Sequence, residues 1–265
     1  MHKNDSSPLF RHGAFERLRF IEDRLFWEAR INRSDLIDSF GISPAQAAID
    51  FREYLKLAGD GVTYDTRAKA YLASSSFKPV LQEIDARERL IELAQNGDPF
   101  TVQLPQLNRS LPGNIAARIR RAARDGRRIL IEYQSLTRAK PKMRWIAPSR
   151  LVSDGERWHA RAWCYERKEW RDFVLARILS LKGEETAGEV PHDDEWDTKV
   201  ALVLRPASRL SKEQKSAVAH EYGMEGGVLN IVIPKPLRLY AIRRWGLDHK
   251  DARLEIVEET VDGSF

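Results

Sequence analysis

Residues Gly155–Ile178, GERWHARAWCYERKEWRDFVLARI, decide how the rest of the chain is read. Apolar and polar positions alternate on either side of a charged turn, so the stretch reads as two short strands. Trp158, Trp163, Trp170 and Phe173 stand among Arg157, Arg161, Arg171 and Arg177, the pattern of a small barrel with a basic, aromatic-lined face. It carries no catalytic constellation, which points to binding before catalysis.

Working outward, Ile129, Ile131 and Tyr133 share one face of a preceding strand, and Lys142–Val152 gives another, interrupted by Pro148. Arg157–Tyr165 is a third and Phe173–Leu181 a fourth, with Asp154-Gly155 as a tight hairpin signal before the third. A helix over Gly113–Arg124 leads in, with Ile115 and Ile119 facing inward and Arg118, Arg120, Arg121 and Arg124 outward, a face most often simply solvated. Four or more short antiparallel strands after one helix predict an Sm- or SH3-like β-barrel.

Alternation along the third strand sends His159 and Arg161 to one face and Trp158, Ala160 and Ala162 to the other, so Trp158 is expected in the core. Arg144, His159, Arg161 and Arg177 are candidates for an anion site, because guanidinium forks match phosphate bidentately and histidine adds a pH-sensitive donor. The competing role for Arg177 is a structural pair with a carboxylate such as Glu132. Trp163 or Trp170 could stack a base, or belong to the core or an interface. Cys164, the single cysteine, is expected to be inert core and excludes an internal disulfide or a multi-cysteine zinc site. The six histidines show no metal-ligand spacing.

N-terminal to the barrel, Phe15, Leu18, Ile21, Leu25 and Ala29 recur at spacings of three and four and predict an amphipathic helix. Asn32 or Ser34 caps a second helix with Leu36, Ile37 and Phe40 inside, and Gly41 ends it. Ser43-Pro44-Ala45-Gln46 then supplies an N-cap, a proline at the first helical position and a glutamine placed for a capping box. The third helix faces inward with Ala47, Phe51, Tyr54 and Leu55, and outward with Ala45, Gln46, Ala48, Ile49 and Arg52. Helix, glycine turn and helix make a helix-turn-helix, whose second helix enters the major groove. Val62–Tyr64 and Lys69–Leu72 form a hairpin wing with Arg67 and Lys69 near its tip, within reach of phosphate. Ser43, Ala45, Gln46, Ile49, Arg52, Arg67 and Lys69 are the DNA-contact candidates; capping alone for Gln46 and plain solvation for the charges are the competing roles.

Ser74–Pro79 reads as a linker, followed by a helix over Val80–Gln95 that packs through Leu81, Ile84, Leu90, Ile91 and Leu93, and by a long loop through Pro105 and Pro112. Gly183–Thr198, with Asp193-Asp194-Glu195, is a second, acidic linker. Strand, helix, strand, helix, strand over Val200–Leu204, Ser211–Glu221, Leu229–Ile233, Leu237–Trp245 and Leu254–Val257 predict a split ferredoxin-like α/β unit. The fold class is therefore multidomain α+β: a winged helix-turn-helix (1–76), a helical linker (77–126), the barrel (127–183) and a C-terminal module (198–265).

Tyr133-x-Ser135, Arg144-x-Ile146-x-Pro148, Leu151-Val152, Asp154-Gly155-x-Arg157-Trp158-His159-Ala160 and Phe173-x-Leu175-x-Arg177-Ile178 resemble the WYL domain of bacterial transcriptional regulators over about Asn114–Leu181. Trp158-His159-Ala160 departs from the namesake Trp-Tyr-Leu at two of three positions. In that form it is similar to the WYL regulators found beside phage-defence operons, the BrxR/CapW type. The resemblance implies a dimeric winged-helix repressor in phage defence, with the C-terminal extension as dimerisation module. It also implies a ligand-sensing barrel taking nucleic acid or nucleotide, with Ser135, Arg144, His159, Arg161 and Arg177 as candidate ligand contacts.

A formal charge of +5, with arginines concentrated in a few segments, favours a polyanionic partner. Hydrophobic content of 42% supports true cores and 31% charged residues keep the surface wet. No apolar run reaches the length of a membrane span, and MHKNDSSPLF has no leader-like core, so a cytoplasmic protein without a membrane partner is expected. No cofactor or metal is expected, and no enzyme: there is no defensible Ser/His/Asp order, no phosphate-cradling glycine loop and no His-Glu-x-x-His. The expected function is sequence-specific binding of double-stranded DNA at a palindromic operator by a homodimer. The alternative is an RNA- or single-strand-binding protein whose main site is the barrel.

Overall fold

The computed structural model describes residues 12–81, 84–105, 107 and 109–262; the leader reading of the first ten residues lies outside them. The chain forms two compact units that divide after residue 106.

The first unit opens with α1 (His12–Glu28), which buries Leu18, Ile21 and Leu25, as their spacing requires. Ala29 lies beyond the helix with a positive φ of 57°, so the stripe ends one turn earlier than its apolar spacing suggested. A two-residue strand, β1 (Arg30–Ile31), precedes α2 (Arg33–Phe40), whose N-cap is Asn32 with a complete capping box to Asp35. Gly41 terminates α2 with φ 61°, a left-handed conformation that glycine adopts without Cβ strain. Next comes α3 (Pro44–Ala58), then β2 (Val62–Asp65) and β3 (Ala70–Ala73), in a small antiparallel sheet of order β1-β3-β2. Phe51 of α3 stacks on Tyr71 of β3 at 4.4 Å, joining helix to sheet, and Leu18, Ile21, Leu25, Ile31, Leu36, Ala47 and Tyr54 complete the core.

The predicted Ser74–Pro79 linker is docked. Ser74 donates its N–H to Gly61 O, Phe77 packs on the core, and the N–H groups of Val80 and Leu81 donate to the buried carboxylate of Glu22. Tyr54 donates its hydroxyl to the same carboxylate at 3.1 Å. These bonds hold the backbone at Val80 and Leu81 outside any helix. The next helix, α4 (Ala86–Gln95), therefore starts later than its apolar pattern predicted, where the Asp85 side chain caps it. It has no fully buried residue: Leu90 is 44% exposed and Ile91 and Leu93 are half-buried, while Leu81, ahead of the helix, packs on the core.

The second unit begins at α5 (Gly113–Arg124), whose Ile115, Ile119 and Ala122 are buried against β4 (Arg127–Tyr133), β5 (Lys142–Ser153), β6 (Trp158–Cys164), β7 (Glu169–Val174) and β8 (Ile178–Thr186). The sheet is antiparallel with order β7-β6-β5-β4-β8, so the last strand returns beside the first. Ile129, Ile131, Ile146, Ala160, Ala162, Cys164, Phe173 and Ile178 fill its core. The single strand predicted over Phe173–Leu181 is instead the end of β7, a 3-10 corner at Leu175–Arg177 and the start of β8. Trp158 shares the inward parity of Ala160 and Ala162 but is 47% exposed, correcting its core assignment. It pairs with Ser153 at the very end of both strands, beyond the reach of the core.

The acidic second linker is also structured. β8 runs to Thr186, Asp193 is buried and caps α6 (Asp194–Asp197), and β9 (Lys199–Pro206) follows at once. Then α7 (Lys212–Glu221), β10 (Leu229–Pro234), α8 (Arg238–Arg244) and β11 (Leu254–Asp262) complete the chain. β9 is central, antiparallel to β10 and β11, and its Val200, Leu202 and Leu204 pack with Val218 and Leu254. β11 extends well past the predicted Val257 because it pairs with β9 along its whole length, across a register shift at Ile256/Glu258.

Candidate nucleic-acid interface

The start of α3 is fixed by its sequence. Ser43 Oγ accepts the N–H of Gln46 at 3.2 Å, and Pro44 occupies a position whose N–H would have no helical partner. Ser43, Ala45 and Arg52 are exposed and Ile49 is 47% exposed, so these candidates form one outward strip opposite buried Ala47, Phe51 and Tyr54. Gln46 stands half-buried at its edge and does not close the capping box its position suggested. Its Nε2 donates instead to Asp50 Oδ1 at 3.0 Å. Asp50 is buried, and Arg17 of α1 holds it with a fork, Nε to Oδ2 at 2.7 Å and Nη2 to Oδ1 at 3.2 Å. Arg17 and Asp50 were absent from the sequence reading; the i, i+4 spacing of Gln46 and Asp50 was the signal available.

In the β2–β3 turn, Asp65 Oδ1 accepts the N–H groups of Arg67 and Ala68, and Lys69 adopts a positive φ of 50°. Arg67 and Lys69 are exposed on this turn. Among the described residues, Arg52, Arg67 and Lys69 make no ion pair, leaving three cations uncompensated. At the base of the wing, Arg33 donates to the Tyr71 hydroxyl at 3.1 Å.

The ligand candidates of the five-stranded sheet do not meet in one pocket. Arg161 is buried, with Nε and Nη2 each 2.8 Å from the Asp193 carboxylate, a further bond from Nη2 to Glu195 at 3.2 Å, and Asp172 at 3.6 Å. Burial works against its charge, but the hydrogen bond to Asp193 and the charges of Asp172 and Asp193 outweigh it and hold the guanidinium more firmly protonated. His159 is also buried, 3.9 Å from Asp154 and packed against Tyr240 of α8 with ring centroids 4.9 Å apart and planes tilted by 41°; the Tyr240 hydroxyl donates to Asp172 at 3.2 Å. Burial pushes the imidazole below its ordinary range against the opposing pull of Asp154 and Asp172, so it is neutral near pH 7. His159 and Arg161 are thus joined through Tyr240 and Asp172, in a buried network that ties strands β6 and β7 to α6 and α8.

Arg144 is buried on β5, toward the other end of the β5–β6 pair, and pairs with Glu166 at 3.0 Å. Arg177 is half-buried in the 3-10 corner, where its carbonyl accepts the N–H of Gln134. The pair proposed between Arg177 and Glu132 is not formed; Glu132 accepts from Ser180 Oγ at 2.7 Å. Ser135 follows Gln134 and shares its hydroxyl with Thr137. Trp163 and Trp170 pack edge to face at 6.0 Å, and Trp170 Nε1 donates to His192 O. Arg120, Arg124, Arg150 and the exposed Trp158 line a groove of about 480 Å³. Cys164 is buried and free, and no helix among the described residues is long and apolar enough to cross a membrane.

Residues 13–95 match the winged helix-turn-helix domain of BrxR transcriptional regulators, residues 114–182 the WYL domain, and residues 199–261 the C-terminal dimerization domain of BrxR transcriptional regulators. A DNA-binding transcriptional repressor CapW from Pseudomonas aeruginosa is 38% identical over 265 residues, covering 94% of this chain and 88% of that protein. The repressor of the same name from Stenotrophomonas maltophilia is 34% identical over 261 residues, covering 93% and 87%. One from Escherichia coli is 33% identical over 246 residues, covering 88% and 82%. With identity of this level sustained across winged helix, WYL domain and C-terminal module, the chain belongs to the CapW family of DNA-binding transcriptional repressors.

Proposed function

We propose that the protein is a homodimeric transcriptional repressor that binds an inverted repeat in double-stranded DNA. The observation that carries this reading is the outward strip of α3, Ser43 to Arg52, beside a wing whose exposed Arg67 and Lys69 make no ion pair among the described residues. Ala45, Gln46 and Ile49 meet base edges, while Ser43, Arg52, Arg67 and Lys69 meet phosphate and set the register. The winged helix (1–76) binds, the segment 77–126 connects, and the module at 198–265 pairs two copies. Dimerisation places two α3 helices about 34 Å apart or a multiple of it, which matches a palindromic operator. Titration of the full chain onto its own promoter region, against random duplex at several salt concentrations, tests this. Tighter, steeply salt-dependent binding to the promoter is expected, and equal affinity for both refutes it.

The return of β8 beside β4 through a 3-10 corner supports closure of residues 127–183 into an Sm- or SH3-like barrel. The placing of β9 between β10 and β11 supports a split βαβ, ferredoxin-like unit. Control by a nucleotide or nucleic-acid ligand at the barrel is part of the same proposal. In this reading Ser135 and Arg177 would meet such a ligand directly, and Arg144, His159 and Arg161 would take part only after exchanging their present partners. A ligand acts here only through different affinities for the DNA-bound and free states. Nucleotides and oligonucleotides that neither release nor tighten the operator complex would exclude that control. A role in phage defence follows from the resemblance and is tested by plaque counts with and without the gene.

The groove of Arg120, Arg124, Arg150 and Trp158 favours one second reading, in which the barrel binds RNA or single strands as its main site. Comparing single-stranded RNA with duplex operator at one salt concentration separates the two.

A further inference from the structure

On the reading that α3 enters the major groove, we infer that Arg17 and Asp50 orient the amide of Gln46 so that it reads amino groups on base edges. Gln46 would then accept adenine and cytosine alike and reject guanine and thymine. A free glutamine usually grips adenine with both ends of its amide, accepting from N6 and donating to N7, which selects adenine alone. Here that choice is made before DNA arrives.

The Asp50 carboxylate is buried, and both of its oxygens accept from the Arg17 fork, so it faces Gln46 as an acceptor. The Gln46 atom 3.0 Å from Asp50 Oδ1 must therefore be the nitrogen, which fixes the sense of the amide on chemical grounds. Asp50 lies one helical turn further along α3, so the nitrogen end is turned back along the helix. The carbonyl Oε1 is the end left to lead outward beside exposed Ala45 and Ile49. In the major groove the only hydrogen-bond donors are adenine N6 and cytosine N4, whereas guanine and thymine present O6 and O4. An outward acceptor is matched by the first pair and repelled by the second. Arg17 and Asp50 touch no base in this scheme; they are positioning residues that convert a bidentate reader into a monodentate one.

The test uses the full-length dimer and a duplex enriched by this protein from a random-sequence pool, with all four bases placed in turn at each half-site position. At one position adenine and cytosine should bind equally, and guanine and thymine about fivefold more weakly, the size of a single net hydrogen bond. Replacing adenine there by 7-deazaadenine should leave affinity unchanged, and replacing it by purine, which lacks the amine, should cost the same fivefold. Gln46→Ala should level the four bases at that position while preserving the melting temperature. Asp50→Ala should break the equality of adenine and cytosine and make 7-deazaadenine costly, as the freed amide takes both contacts. Preference for adenine alone with a penalty for 7-deazaadenine in the unmodified protein would overturn the inference, as would Gln46→Ala leaving every base preference intact. Enriched duplex bound no better than random duplex would overturn the DNA-reading proposal as well, a failure visible before any base is substituted.

Discussion

Replacing Arg161 by leucine asks whether this guanidinium is a structural tie or a ligand hand. Its side chain is 4% exposed, that of Asp193 7% and that of Asp172 14%, whereas Glu195 is 59% exposed. The solvent-screened Glu195 contact is worth at most about 1 kcal/mol. Asp193 is different: among the described residues, without Arg161 it keeps only the N–H of Trp196, at 3.3 Å, and no cationic partner for its buried carboxylate. Breaking such a pair from one side costs about 3–5 kcal/mol. For a unit of this size, at about 2–4 °C per kcal/mol, the melting temperature of the second unit should fall by roughly 6–20 °C. The double variant Arg161→Leu/Asp193→Leu removes both charges and should recover much of the loss, because a coupled pair does not add. Calorimetry gives the magnitude, and hydrogen exchange over residues 187–197 locates it, since that segment is held at Asp193 and at the Trp170–His192 bond. An Arg161→Leu protein that melts within 2 °C of the parent but no longer answers to any anion would refute this reasoning and make Arg161 a ligand residue.

Other outcomes follow from the same geometry. Tyr54→Phe removes one of the donors to buried Glu22 and should lower the stability of the first unit by about 1–3 kcal/mol in chemical denaturation, without changing the α3 surface. Arg52→Ala, Arg67→Ala and Lys69→Ala should each lower affinity and lessen the slope of log affinity against log salt by about 0.9, leaving sequence preference alone. His159 is held neutral by burial, so its folded value lies below its unfolded one. Its contribution is complete above about pH 6.5 and is lost as pH falls below that, so melting temperature should drop with acid in the parent and less so in His159→Phe.

What the sequence disclosed, and what it withheld, divides by range along the chain. The Ser43-Pro44 start, the Gly41 stop and the Ile129-Ile131-Tyr133 alternation are local signals, and each element they announce is present. The fork from Arg17 to Asp50 spans 33 residues, the tie from Arg161 to Asp193 spans 32, and the bonds from Glu22 to Val80 and Leu81 nearly twice that. Nothing in a local pattern distinguishes Asp193 from its solvated neighbours Asp194 and Glu195, and so a docked segment looked like a linker. Trp158 illustrates a second limit. Alternation gives the side of the sheet correctly, but not where along the strand the core stops, and Trp158 lies past that point. The same distance dependence keeps the anion-site candidates apart: Arg144 and His159 lie near opposite ends of the β5–β6 pair, each facing its own carboxylate.

The most direct test of the DNA-binding reading is fluorescence anisotropy of the full-length dimer on a labelled duplex from its own promoter, beside a shuffled duplex of equal length and composition. Affinity for the promoter duplex should exceed that for the shuffled one by about a thousandfold or more at physiological salt. It should fall steeply as salt rises, and Arg52→Ala should reduce it. Equal affinity for the two duplexes, or promoter binding indifferent to substitutions along the exposed strip of α3, would contradict it.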